Sequence, residues 1–203
     1  MSLRRRIATG GAQRRSMTAF TMIELITVMV VVGVLSAVAV QRFFSNSTFE
    51  AREYADQAKA ILRYAQKLAI AQNRPIYVSA TGNRFAVCSA SACGAATLIS
   101  APGGSNSGST VTQAQCTLAG SYVSTWLCEA KPASVTLASS RTTEAGGAAS
   151  FVFFDAMGRP FNAADAAPPN GYVSSFTQAL TLTFTGSGSN YVVTLEPETG
   201  YVH

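Results

Sequence analysis

The stretch from Phe20 to Val40, FTMIELITVMVVVGVLSAVAV, decides how the rest of the chain is read. Apart from Thr21, Glu24, Thr27 and Ser36, its residues are all apolar or small. As a helix rising about 1.5 Å per residue it would be about 30 Å long, the thickness of a bilayer's hydrocarbon core. A single carboxylate, Glu24, stands near its start. A charge at the bilayer centre costs about 2.5–3.5 kcal/mol, and a shallow position lowers that cost. Arg4, Arg5, Arg6, Arg14 and Arg15 precede the run, and Arg42 and Arg52 are the first bases after it. The positive-inside bias therefore sets the leader in the cytoplasm and the body on the other side.

Three readings compete for this segment. A plain anchor accounts for its length and leaves Glu24 unexplained. An ordinary secretory signal would pair the basic leader with an apolar stretch and cleavage after Ala39, at Ala37-Val38-Ala39. The run is longer than such a signal needs, and that cut would sever the helix midway and leave no anchor. Arg14-Arg15 touches on a twin-arginine signal, which RRSMTAF supports poorly. The third reading takes Glu24 as functional.

AFTMIELITVMVVVGVLSAVAV resembles the processing and methylation segment of type IV prepilins and type II secretion pseudopilins. The resemblance implies that a prepilin peptidase removes residues 1–19, cutting between Ala19 and Phe20, and that Phe20 becomes the N-methylated first residue. Glu24 then takes the fifth position, where the family carries glutamate. In a filament its carboxylate is expected to pair with the terminal amine of a neighbouring subunit, while a carboxylate in the first turn also suits the helix dipole. The residue before the cut is usually glycine in this family, and here it is Ala19.

Charge and cysteine content narrow the remainder. The five leader arginines account for the whole net charge of +5, since the other ten Lys/Arg face ten Asp/Glu. No basic cluster with interleaved aromatics suggests nucleic-acid binding by the body. Cys88, Cys93, Cys116 and Cys128 lack paired C-x-x-C spacing, and the one histidine is His203. That set argues against zinc and for disulfides in an oxidising compartment. Loop closure favours Cys88–Cys93 and Cys116–Cys128 among the three pairings, although spacing leaves connectivity, and buried free thiols, open.

After the polar stretch 45–48, FEAREYADQAKAILRYAQKLAIAQN is periodic. Tyr54, Ala58, Ile61, Ala65 and Leu68 form one apolar stripe, and Arg52, Glu53, Asp56, Lys59, Arg63 and Lys67 read as a solvated face. Asn73 and Pro75 end it, giving one expected helix from Phe20 to about Gln72. Residues 74–203 read as β-rich. IYVSA and RFAVC flank the turn Thr81-Gly82-Asn83, and SYVSTWL, SVTLAS, SFVFFD, ALTLTFT and YVVTLEP are further strand candidates. APGGSNSGS, Ala101 to Ser109, is expected as an exposed mobile loop, Gly186 to Asn190 as a flexible hairpin loop, and DAMGRP as a turn.

The helix end, FFDAMGRP and ETGYVH resemble the GspH/FimT branch: H-type pseudopilins of type II secretion and related minor pilins of type IV and mannose-sensitive haemagglutinin (MSHA) pili. Among these, the helix end and tail slightly favour a resemblance to an MshC-like MSHA minor pilin. The resemblance implies an α+β, type IV pilin-like fold, a long amino-terminal helix packed on an antiparallel β-sandwich-like domain. Its divisions are a leader at 1–19, a transmembrane or filament-core helix at 20–40, an amphipathic continuation at 41–73 and a periplasmic or extracellular domain at 74–203. The implied role is a low-copy subunit that initiates, primes or caps a filament, anchored in the bacterial inner membrane before assembly. Its implied partners are the prepilin peptidase, other pilin or pseudopilin subunits, the inner-membrane assembly platform and membrane lipid. Neither an enzyme nor a cofactor is expected: there is no G-x-S-x-G elbow or phosphate loop, and Glu196-Pro197-Glu198 offers too few oxygens for calcium. A DNA-capturing or adhesive tip protein is the alternative, which the acidic-to-neutral EPETGYVH does not favour.

Overall fold

The computed structural model describes residues 21–43, 46–80, 83–140, 152–167 and 173–203, with backbone alone over 37–43. The leader and the 44–45 junction lie outside these, as does part of the expected continuous helix from Phe20 to Gln72. The chain divides into two compact units, Met1–Phe44 and Ser45–His203. Among its described residues the first holds one helix, α1 (Met22–Phe43).

The second unit opens with α2 (Asn46–Gln72), whose buried residues Ala51, Tyr54, Ala55, Ala58, Ile61, Leu62, Ala65 and Ala69 recur every three or four positions. Five of those eight are alanines, so the helix backbone approaches its neighbours closely while Tyr54, Ile61 and Leu62 fill the volume between. Leu68, expected on the same stripe, is partly buried against it. Asn73 ends the helix in the left-handed region at φ 48°, which asparagine tolerates. Its N–H meets Ile70 O at 3.3 Å and the N–H of Arg74 meets Ala69 O at 3.3 Å, the paired bonds of a Schellman cap.

The strands are β1 (Ile76–Ser79), β2 (Arg84–Cys88), β3 (Thr117–Leu118), β4 (Ser121–Tyr122), β5 (Cys128–Ala130), β6 (Thr136–Ser139), β7 (Val152–Phe154), β8 (Pro160–Asn162), β9 (Leu180–Gly186) and β10 (Ser189–Leu195). A short helix, α3 (Thr110–Gln115), precedes β3. Five strands form one sheet in the order β5-β2-β1-β7-β8, and three form another in the order β10-β9-β6. All their pairings are antiparallel. β1 and β2 form the expected hairpin, although Thr81 and Gly82 of its turn lie outside the described residues.

Helix α2 packs on both sheets. β9 buries alternate residues, Leu180, Leu182 and Phe184, as its alternating pattern requires. The ring of Tyr54 lies 5.8 Å from that of Phe85 on β2 and 5.5 Å from that of Phe184 on β9. Phe85 and Phe184 themselves lie 6.2 Å apart, so three rings join the helix to both sheets. Such aromatic contacts add about 0.5–1.5 kcal/mol each beyond the area they bury. The fold of this unit is α+β, a helix laid on antiparallel sheets.

Three local expectations are corrected. The stretch 186–190 is not a flexible five-residue loop. Only Ser187 and Gly188 turn, at φ 46° and 81°, and Gly186 already pairs with Ser189. Two consecutive positive φ values match the twist of a hairpin, which shortens the loop to two residues. Of SYVSTWL only Ser121–Tyr122 is a strand, and Trp126 makes an isolated bridge to Ser100. The loop 101–109 is not uniformly exposed: Ala101 and Asn106 are buried, and Asn106 Nδ2 donates to Val123 O at 3.1 Å and to Trp126 O at 3.3 Å.

The tail returns to the second sheet. Val202 bridges Leu195, and Thr194 and His203 exchange backbone hydrogen bonds of 2.9 and 3.0 Å.

Candidate functional site

Glu24 is the third residue of α1, in its first turn. Thr21 Oγ1 accepts from the Glu24 N–H at 3.3 Å, and Thr21 O accepts from the N–H groups of Glu24 and Leu25 at 3.0 and 3.2 Å. Thr27 Oγ1 donates to Glu24 O at 3.0 Å. TMIE thus reads locally as a helix start, with the carboxylate where the unpaired N–H groups and the dipole favour it. The Glu24 side chain is exposed and without a partner among the described residues. Ala19 and Phe20 lie outside those residues. Every described side chain from Met22 to Ser36 is exposed, Leu25, Met29 and Leu35 included. Among the described residues no helix is long and apolar enough to cross a membrane; in α1 the described side chains stop at Ser36.

The cysteines build a second, smaller core. Cys88 joins Cys93, with Cα atoms 5.5 Å apart, and Cys116 joins Cys128, at 5.8 Å. Around them Ala86 and Trp126 are buried, and Cys93, Leu98, Tyr122 and Val123 pack against the cluster. The indole Nε1 of Trp126 donates to Val87 O at 2.9 Å. The guanidinium of Arg84 lies 5.0 Å from the centre of that ring, and Nη1 donates to Gln115 O. Burial lowers the Arg84 pKa from its ordinary value.

Glu129 on β5, which no sequence motif singled out, ties α3 and the 101–109 loop to this region. Its carboxylate accepts from the Ser107 N–H at 2.7 Å, Ser107 Oγ at 2.5 Å and Thr112 Oγ1 at 3.2 Å. Its carbonyl accepts from Tyr54 OH at 3.4 Å. Glu50 and Glu53 line the same cavity of about 150 Å³. The carboxylate is satisfied by hydroxyls and an N–H, which is structural chemistry, and among the described residues no group of His, Cys, Asp or Glu could hold a metal ion.

The helix end, DAMGRP and ETGYVH meet at one residue. Gln66 Nε2 on α2 donates to Gly158 O at 3.0 Å and to Thr199 O at 2.9 Å. Buried Asp155 accepts from the N–H groups of Met157 and Arg159 at 2.9 and 2.8 Å and pairs with the Arg159 guanidinium at 2.8 Å. Gly200 has φ +65°, and a Cβ there would lie 2.3 Å from Gly158 O, so only glycine lets the two turns touch. Arg63, read from the sequence as part of a solvated face, donates Nε and Nη2 to Val202 O at 3.0 and 2.7 Å. These residues hold the fold together. The spacing of the charges along α2 contained no signal for the Arg63 bond.

No protein-family model matches the chain, and no curated protein does. Among solved structures, two crystal forms of the type IV minor pilin FimU from Pseudomonas aeruginosa are similar. One is 15% identical with a TM-score of 0.43, covering 77% of this chain and 88% of FimU. The other is 14% identical with a TM-score of 0.41, covering 75% and 90%. At such identities and scores, function does not follow from the likeness.

Proposed function

We propose that this chain is a minor pilin or pseudopilin of the GspH/FimT type, a low-copy structural subunit that initiates, primes or caps a type IV-like filament. It is a building element and not an enzyme. Before assembly it sits in the inner membrane by its amino-terminal helix, with the domain from residue 74 onward in the periplasm. Prepilin peptidase cuts between Ala19 and Phe20, Phe20 is N-methylated, and the assembly platform passes the subunit to other pilins or pseudopilins.

The observation that carries this reading is Glu24. It is the one acid of a helix that is otherwise apolar or small from Met22 to Val40 apart from Thr27 and Ser36, preceded by a basic leader and by Phe20 four residues earlier. A membrane anchor has no use for that carboxylate, whereas a neighbour's terminal amine neutralises it on assembly. The exposed apolar side chains of α1 support the same reading, since a helix apolar on all sides needs lipid or protein around it.

The test reads the mature terminus by mass spectrometry and follows Glu24→Ala. The expected terminus is methylated Phe20, and the expected variant inserts into membranes normally but enters sheared filaments at a strongly reduced level. A terminus at Val40, or wild-type incorporation of the variant, overturns the assignment.

A further inference from the structure

The two disulfides of the small core differ in access. Cys116 and Cys128 are both fully buried, in a cluster with Trp126 against which Tyr122 and Val123 pack. Cys88 is fully buried too, but its partner Cys93 is only half-buried. Ser91, Ala92, Ala95 and Ala96 beside it are exposed, and from Ser89 to Ala96 every other residue is serine, alanine or glycine. An external thiol therefore meets Cys93 without obstruction from its own segment. The Cys116–Cys128 bridge offers no such approach while the fold is intact.

The strand register sets the bridges side by side. Ala86 on β2 stands opposite Cys128 on β5. Side chains alternate along a strand, so Cys88, two residues on, leaves β2 on the face that carries Ala86. Both belong with Cys128 to the small core, whereas Phe85 and Val87 point into the larger one. Diagonal neighbours in such a ladder have Cα atoms about 7–8 Å apart, and a disulfide spans at most about 7 Å, so a shift of about 1 Å lets Cys88 reach Cys128. Arg84 Nη1 donates to Gln115 O, one residue from Cys116. A cation there favours Cys116 as the departing thiolate when Cys128 is attacked.

We propose that Cys88–Cys93 is an exchange port for a thiol–disulfide oxidoreductase and relays electrons to and from the buried Cys116–Cys128 bridge. In the reducing direction a dithiol's thiolate attacks Cys93 Sγ and expels the Cys88 thiolate. The dithiol's second thiol then closes its own disulfide and frees Cys93. Cys88 attacks Cys128 Sγ and expels Cys116, which leaves a Cys88–Cys128 bridge. Cys93 attacks Cys88 Sγ, expels Cys128 and restores the port. The dithiol has lost two electrons and two protons, and these end on Cys116 and Cys128 as two thiols. Oxidation runs the same exchanges backwards, with the oxidoreductase's disulfide taking the electrons. The relay is independent of the filament role.

The test exposes the full chain, in detergent micelles under native conditions, to limiting dithiothreitol. Samples are quenched in acid at intervals, alkylated, digested and mapped by mass spectrometry. Cys93 is expected to be labelled first. A peptide linking Cys88 to Cys128, with Cys93 and Cys116 free, is expected next, before Cys116 and Cys128 are labelled together. Opening of Cys116–Cys128 ahead of Cys93, or without the Cys88–Cys128 peptide at any time, overturns the proposal. Removing the port with Cys88→Ala and Cys93→Ala together is expected to slow reduction of Cys116–Cys128 several-fold. A merely structural bridge predicts the opposite, because its loss loosens the core around its neighbour. Reduction at the wild-type rate or faster, in a variant that keeps the wild-type Trp126 emission, therefore also overturns the relay.

Discussion

Tyr54 carries a hydroxyl into the main core, and its surroundings punish ionisation. Burial, and secondarily the negative charge of Glu129, raise its pKa well above the ordinary 10. The folded chain therefore keeps the phenolic proton over a range in which the unfolded chain releases it. The stability tied to Tyr54 is fully present below pH 10 and is lost as pH rises beyond it. Thermal unfolding followed by circular dichroism between pH 8 and pH 12 is expected to show a level midpoint and then a fall setting in near pH 10. Tyr54→Phe removes most of that fall, at a cost of about 0.5–1.5 kcal/mol at neutral pH for the bond to Glu129 O. Tyr77, raised by its own burial, leaves a smaller remainder. An unchanged alkaline limb in Tyr54→Phe would refute this assignment.

Among the elements, the disulfide-bearing stretch behaves differently from the sheets around it. Its core is small and rests on two covalent links, whereas α2, β9 and β10 share a broad apolar interior. The Cys116–Cys128 bridge, closing a separation of 12 residues, contributes about 3 kcal/mol on the chain-entropy account. Reduction under native conditions is expected to shift the Trp126 emission to the red, while the far-ultraviolet signal of α2 and the sheets persists. Trp126 is the single tryptophan, so the reading is unambiguous. Simultaneous loss of both signals would show that the small core is not separable. This stretch was also the hardest to read. β1, β2, β9 and β10 announce themselves through β-branched and aromatic residues between turn signals, and α2 through its three-and-four spacing. Between Ser89 and Ala130 the strands are two or three residues long and the stabilising bonds run to loop groups, through Asn106, Glu129 and Trp126. No period exists in so short a piece, and long-range partners of a single Asn or Glu leave no local trace. α3, six residues opened by the Ser109 cap, went unanticipated for the same reason. For Ala19, Phe20 and Glu24 the position was different. The roles proposed for them rest on an entirely local pattern, a basic leader, an aromatic residue and an acid four further on, and Ala19 and Phe20 lie outside the described residues.

For the molecule as a whole, the charge distribution would give the proposed removal of residues 1–19 a consequence. The leader holds the entire net excess of +5, and the chain from Phe20 carries equal numbers of bases and acids. Retention on DNA-cellulose at low salt is expected for the unprocessed chain and to disappear once residues 1–19 are removed, because phosphate binding scales with the bases that neutralise it. Salt-sensitive retention of the processed chain would instead place a nucleic-acid surface on the domain. The return of the tail to β10 has a different whole-molecule consequence. β10 is the end strand of its sheet, and a bare end strand offers unpaired backbone groups to any extended segment that drifts past. Val202 and His203 occupy its Thr194–Leu195 end, and Gln66 and Arg63 on α2 hold that tail in place. The chain thereby guards part of its own sheet against indiscriminate strand addition, and α2 is the latch on that guard.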